Sequence, residues 1–196
     1  MRAVQNPHRP AVYVLTILWE WSLVAYIAWG AKRHGFSLRE LIGGKWNDLK
    51  DFLKDVAIAA GFWLIALFVL FCTAVALHAT KAGQNIRLLL PQNQLEMFLW
   101  ILTSITAGIC EEIIFRGYFQ RQFGAWTGSM PAGVLLSAAV FGAGHIYQGW
   151  RSAIIIVVYG LLFGILAEMR KSLRPGMMTH AWHDGFAGLA GRLIAK

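Results

Sequence analysis

Long apolar runs separated by short polar connections dominate the pattern of hydrophobic and polar positions along the chain. A helix needs roughly 20 mostly apolar residues to cross a hydrocarbon core about 30 Å thick. The runs predict six transmembrane helices, at 11–31, 56–79, 97–115, 131–146, 152–169 and 177–195. The fourth run is the shortest, and a tilted or partly re-entrant helix that is buried by protein is the alternative there.

The segment between the first two predicted spans has a different pattern. From 36 to 54, apolar residues recur at spacings of three and four, with charged residues between them, which is typical of an amphipathic helix. We expect this helix to lie at the membrane interface and to bend or break at Gly43 and Gly44. The predicted fold class is therefore all-α: a polytopic membrane helix bundle of about six transmembrane helices with an interfacial amphipathic helix, forming one integral-membrane domain over 1–196.

The composition excludes a water-soluble monomer and a disordered chain. Hydrophobic residues make up 57% of the sequence and charged residues only 14%, whereas soluble domains contain about 25% charged residues. The net charge of +8 comes from basic residues between the apolar runs, so we expect contact with lipid headgroups and not with nucleic acid. Both cysteines lie inside apolar runs and indicate no disulfide framework.

Several ionisable side chains fall inside the predicted spans, where an aspartate costs roughly 2.5–3.5 kcal/mol at the helix centre. Glu111 and Glu112 are consecutive and therefore point about 100° apart on a helix. Arg116 lies four residues after Glu112 and suits an internal ion pair with it, which leaves Glu111 as the candidate general base. The alternative is a pair of helix-end glutamates that reach the interface. Glu20 and Glu168 belong to no motif and are assigned no catalytic role.

Three histidines complete the polar set. His145 follows two glycines near the end of the fourth span, where an ordinary helix-interface histidine is the alternative. His180 and Asp184 share a face of the last span within about 40°, and His183, on the other side, is an alternative to His180. Such a set suits activation of water, with Glu111 as base, His145 orienting the water or sharing the proton, and the last pair polarising a carbonyl or completing a metal site.

Zinc is a candidate cofactor. His145, His180 and a carboxylate are acceptable zinc ligands. The H-E-x-x-H pair that marks many zinc proteases is absent from the sequence, so the ligand types alone indicate the metal.

Three ordered motifs lie on three of the apolar runs. Glu111–Arg116 has the pattern E-E-x-x-x-R, Phe141–His145 has F-x-x-x-H, and His180–Asp184 has H-x-x-x-[ND]. Together they resemble the CAAX protease and bacteriocin-processing family (CPBP, or Abi) of intramembrane proteases, which includes the type II CAAX prenyl endopeptidases. The resemblance covers about 97–190, the expected catalytic core.

The resemblance implies a helical membrane protease in which Glu111 activates water, His145 is its partner, and His180 and Asp184 lie on the oxyanion side. The family has been described both as metalloproteases and as glutamate-dependent proteases. The last motif position is often Asn in the prenyl endopeptidases, and an ionised Asp184 cannot donate the hydrogen bond that an amide can. Asp184 would have to be protonated, orient His180 or bind a cation. The predicted site residues are Glu111, Glu112, Arg116, His145, His180 and Asp184.

The leading hypothesis is an intramembrane endopeptidase of a prokaryotic cytoplasmic membrane. Its substrates would be peptides or proteins in or at the lipid bilayer, such as prenylated CAAX-type proteins or leader peptides. A small transporter or proton-relay protein and a catalytically silent scaffold, acting as an immunity or maturation partner, are the alternatives. A thiol mechanism through Cys110 is a further alternative within the enzyme class, and apolar packing is the default role of this cysteine.

Overall fold

The computed structural model of the protein describes residues 8–79 and 88–194, and their regular structure is entirely helical. The elements, in chain order, are α1 (Arg9–Arg33), α2 (Leu38–Ile42), α3 (Leu49–Ala76), α4 (Gln94–Glu111), a π-helical segment (Glu112–Phe119), α5 (Gln120–Thr127), α6 (Met130–Gly144), a short 3₁₀ turn (Ile146–Gln148), α7 (Trp150–Arg170) and α8 (Arg174–Ile194).

Among the described residues, four helices are long and apolar enough to cross a membrane. They are α1, α3, the continuous helix Gln94–Thr127 and α7. The helical membrane bundle predicted from the sequence is therefore confirmed. The other two predicted spans are helical as well, but α6 has only 15 residues, or about 22 Å, and α8 carries more polar residues. Ala195, the last residue of the sixth predicted span, lies outside the described residues.

The third predicted span is longer and less regular than the sequence indicated. It was expected to end at 115, yet the helix continues to Thr127, where Gly128 closes it with a left-handed φ of 65°. Hydropathy marks only the apolar part of a helix and says nothing of where the backbone stops. The continuation also contains the π-helical segment, which the spacing of apolar residues did not predict.

The amphipathic segment 36–54 is not one helix. α2 begins at a capping box on Ser37 and ends after one turn at Gly43, whose φ is 98°, followed by Gly44 with a φ of 86°. Both values belong to the left-handed region that favours glycine, so the predicted break is confirmed. The remainder of the segment belongs to α3, which starts after the N-cap Asp48.

α2 packs against the rest of the protein, and its location at the membrane interface stays a prediction. The backbone N–H of Leu173 donates to the carbonyl of Ile42 over 2.9 Å, which fastens the end of α2 to the connection between α7 and α8. Leu38 and Leu41 pack against a core cluster in which residues of α1, α4 and the π-helical segment meet. This cluster consists of Val24, Ile27, Cys110, Ile113, Ile114 and Leu173.

The helix α4 is central to the bundle because α1 and α8 both pack along it, while α3 packs on α7 and α8 and α6 packs on α5 and α7. The contact between α4 and α8 is close at Gly108, opposite the backbone of Met177 and Ala181. About two helical turns earlier on α4, the indole N–H of Trp100 donates to the carbonyl of Asp184 over 2.8 Å. These contacts fix α8 relative to α4, the two helices that carry Glu111, His180 and Asp184.

We expect Gly108→Ala to destabilise the bundle. A Cβ atom at this position would lie 2.7 Å from the backbone of Met177 and Ala181, so α8 would have to move, at a cost of about 1–3 kcal/mol. Thermal unfolding in detergent should show a lower midpoint for this variant. Gly61→Ala is the matched control, because nothing lies within 4 Å of its new Cβ. Equal midpoints for the two variants would contradict the close α4–α8 contact.

Candidate active site

The two consecutive glutamates occupy different environments at the junction of α4 and the π-helical segment. Glu112, the first residue of that segment, is 1% exposed. The side chain of Glu111, the last residue of α4, is 17% exposed. A π-helical turn changes the direction of successive side chains and recurs at functional sites. The local backbone therefore separates a fully enclosed carboxylate from one that reaches accessible space.

Glu112 is held by two partners through the same oxygen. Its Oε1 lies 2.9 Å from Nη1 of Arg116 and 3.0 Å from Nδ1 of His180. The predicted ion pair between Glu112 and Arg116 is thus present. A buried carboxylate without such partners would be strongly destabilising, so the position of Glu112 depends on α8 as well as on its own helix.

Arg116 extends the network to two further helices. Its guanidinium lies 4.7 Å from the ring centroid of Phe141 and 5.4 Å from that of Phe163, distances typical of cation–π contacts. Its Nη2 donates to the carbonyl of Gly160 over 3.4 Å. Because these groups belong to α6 and α7, the charged pair ties both helices to the π-helical segment.

His180 is oriented by carboxylates on both sides of its ring. Nδ1 donates to Glu112, because an ionised carboxylate only accepts hydrogen bonds. Nε2 lies 3.5 Å from Oε2 of Glu111 and 3.7 Å from Oδ2 of Asp184. The shared face predicted for His180 and Asp184 is therefore present, and the second nitrogen of the ring points to the less enclosed glutamate.

Aromatic rings enclose His180 on its remaining sides. The ring centroids of Tyr159, Phe163 and Phe141 lie 5.4, 5.6 and 6.2 Å from that of His180. Each contact has the edge-on geometry that aromatic pairs favour. Such an apolar enclosure strengthens the electrostatic interactions inside it because little water screens them.

His145 is fixed at the end of α6 by a hydrogen bond to its own helix. Its Nδ1 lies 2.9 Å from the carbonyl oxygen of Phe141. A carbonyl only accepts, so Nδ1 donates this hydrogen bond and Nε2 is the nitrogen that remains available. His145 also interacts electrostatically with Glu111, which puts the histidine of the second motif at the same site as the first.

Two side chains at the site were not predicted. Glu20 of α1 is buried, its Oε2 has no hydrogen-bond partner in the described part of the chain, and it interacts electrostatically with Glu111, His180 and Asp184. Its charge within an apolar run was visible in the sequence, but no motif linked it to the other residues. The second, Tyr159, lies in an apolar run of α7 and carries no sequence signal of its own.

The structure also bears on two sequence alternatives. His180, and not His183, contacts the two glutamates, whereas the ring of His183 packs against Tyr159 at 5.1 Å. Cys110 is fully buried in the core cluster beside Val24, which agrees with a packing role for this thiol.

The residues at the site do not form an evident zinc centre. Within 8–79 and 88–194, no group of three His, Cys, Asp or Glu side chains is arranged to hold a metal ion. In both candidate ligands Nδ1 has a partner, a backbone carbonyl for His145 and Glu112 for His180, so a metal would have to bind at Nε2. Zinc at these two histidines stays a prediction.

Residues 93–186 match the family model described as Rce1-like, type II CAAX prenyl endopeptidase Rce1-like. The matched segment begins at the N-cap of α4, ends within α8 and contains the three motifs. It nearly coincides with the core expected at 97–190. No curated protein and no solved structure matches the chain at a significant level.

We expect Glu112→Gln to lower stability sharply. The substitution removes the charge that Arg116 and His180 face in a buried site, and breaking one partner of a buried ion pair costs about 3–5 kcal/mol. The control is Glu168→Gln, which breaks the ion pair with the exposed Lys171 but leaves an amide oxygen that can still accept from Gln120, so it should cost no more than about 1 kcal/mol. Chemical or thermal unfolding in micelles measures the difference. Similar losses in the two variants would show that the Glu112 network does not stabilise the bundle.

Proposed function

Because residues 93–186 carry an Rce1-like domain, which relates the chain to the CPBP and CAAX proteases, we propose that it is an intramembrane endopeptidase whose Glu111 activates water. The observation that supports this most is the unequal environment of the two glutamates. Glu112 is enclosed by Arg116 and His180, whereas Glu111 keeps an accessible carboxylate 3.5 Å from Nε2 of His180. Of these two glutamates, only Glu111 has space beside its carboxylate for both a water molecule and a substrate.

In the proposed reaction, Glu111 takes a proton from water while the water oxygen attacks the carbonyl carbon of the scissile peptide bond. A C–O bond forms, and the π electrons of the carbonyl move to its oxygen. His145 orients the water through Nε2. His180, protonated on both nitrogens, donates from Nε2 to the oxyanion. When the intermediate collapses, the C–N bond breaks and Glu111 returns the proton to the leaving amine.

The proposed substrates are peptides or proteins in or at the bilayer, including prenylated C-terminal sequences and leader peptides. The protein is an integral membrane protein, with four long apolar helices and large apolar side chains facing outward on α1 and α3. Leu15, Trp19, Phe68 and Phe71 are examples. A substrate with an apolar anchor would reach a site within this bundle from the lipid. We assign the protein to a prokaryotic cytoplasmic membrane.

The main test compares wild-type protein with Glu111→Gln after reconstitution into liposomes. Mass spectrometry should follow the cleavage of a panel of prenylated C-terminal peptides and membrane-anchored leader peptides. Glutamine keeps the shape of the side chain but cannot act as a base, so we expect kcat to fall by about 10²–10⁴-fold. The thermal midpoint should change little because Glu111 is the less enclosed carboxylate.

Glu168→Gln is again the matched control and should cleave like the wild type. Equal cleavage by wild-type protein and Glu111→Gln would overturn the proposed role of this residue. If the wild-type protein cleaved none of the panel while it bound the same peptides, the result would favour a catalytically silent scaffold.

A further inference from the structure

The hydroxyl group of Tyr159 is a buried donor without a partner. Tyr159 is 5% exposed, and its Oη has no hydrogen-bond partner in the described part of the chain. Leaving a buried polar group unsatisfied costs about 1–3 kcal/mol. Most buried polar groups in proteins are paired, so an exception needs a specific explanation. The mechanism proposed above does not use this hydroxyl.

Tyr159 lies at the site and not elsewhere in the bundle. Its ring is 5.4 Å from that of His180 and packs on Phe163 with a centroid distance of 4.3 Å. The same His180 ring is contacted by the carboxylates of Glu111, Glu112 and Asp184. A phenol ring with an unpaired hydroxyl therefore packs on the histidine at which three carboxylates converge.

The site contains many hydrogen-bond acceptors and few free donors, and the hydroxyl of Tyr159 is one of those donors. A tetrahedral intermediate carries a negative oxygen, which fixed hydrogen-bond donors stabilise. Ionised carboxylates only accept hydrogen bonds, so Glu112 and Asp184 cannot serve it, and the proton that Glu111 has taken from water is needed by the leaving amine. Nδ1 of His180 is committed to Glu112.

Arg116 does not change this balance. Its guanidinium contacts Glu112 and the carbonyl of Gly160. The same group also lies over the rings of Phe141 and Phe163. Nδ1 of His183 is also buried without a partner, and its ring lies 5.1 Å from that of Tyr159. Apart from His180 itself, Tyr159 is the residue in the described part of the chain that combines an unpaired buried donor with a ring contact to His180.

We propose that Tyr159 donates its hydroxyl hydrogen to the oxyanion of the tetrahedral intermediate, beside Nε2 of His180. The inference rests on the proposed function and adds a catalytic residue outside the three motifs. The hydroxyl makes no hydrogen bond that has to break before it binds the substrate oxygen. No proton is transferred: Tyr159 keeps its hydrogen, and the leaving amine receives its proton from Glu111.

The test is Tyr159→Phe, which removes one oxygen atom and keeps the ring packing. With a substrate that the wild-type protein cleaves, we expect kcat to fall by about 10²–10³-fold, while KM stays nearly constant. The thermal midpoint should stay the same or rise because an unsatisfied buried group is lost. Tyr26→Phe is the matched control, since Tyr26 is 68% exposed on α1 and should leave kcat, KM and the midpoint unchanged.

A rescue experiment separates a donor from a merely structural tyrosine. Asp184→Asn introduces an amide donor next to His180, so it should restore at least about tenfold of the kcat lost by Tyr159→Phe, measured as a double-mutant cycle with both single variants. A kcat for Tyr159→Phe equal to that of Tyr26→Phe would overturn the inference. A loss that follows a lowered midpoint and that Asp184→Asn does not rescue would overturn it too.

Glu111→Gln, measured in the same series, distinguishes the two proposals. If Glu111→Gln is inactive and Tyr159→Phe is fully active, the oxyanion role of Tyr159 fails and the proposed function stands. If Glu111→Gln remains active, the proposed function itself fails, whatever the result for Tyr159.

Discussion

A carboxylate enclosed in an apolar helix bundle must be paired, and the pairing of Glu112 is the constraint on which the rest of the site depends. Its partners, Arg116 and His180, come from its own π-helical segment and from α8. Arg116 in turn contacts α6 and α7 through Phe141 and the carbonyl of Gly160. One buried charge therefore fixes the relative positions of the helices that carry the three motifs.

Because of this pairing, the two adjacent glutamates have different roles. Both oxygen-to-nitrogen contacts of Glu112 are internal, and the residue is only 1% exposed, so it orients His180 and is closed to solvent. Glu111, one residue earlier, faces the opposite nitrogen of the same ring and retains exposure. The change from α- to π-helix at this point gives the two side chains different directions. The proposed base, Glu111, is thus separate from Glu112, the carboxylate that holds Arg116 and His180 in place.

Local spacing predicted what local geometry controls. The helical bundle, the break at Gly43 and the pairs formed by residues four apart, Glu112 with Arg116 and His180 with Asp184, all follow from hydropathy, glycine conformation and helix periodicity. The π-helical segment and the arrival of His180 between both glutamates depend on packing between α4 and α8, which no pattern within one helix encodes. Tyr159 could not be predicted either, because its place at the site also depends on packing between helices. An aromatic residue in an apolar run indicates only ordinary packing.

The most direct test of this division is a structure of Glu111→Gln in lipid with a peptide that the wild-type protein cleaves. We expect the scissile carbonyl carbon to lie beside residue 111 and the carbonyl oxygen of the substrate to point to Nε2 of His180. Glu112 should remain paired with Arg116 and with Nδ1 of His180. A scissile carbonyl bound against Glu112 or Cys110, or a Glu112 released from Arg116, would contradict it.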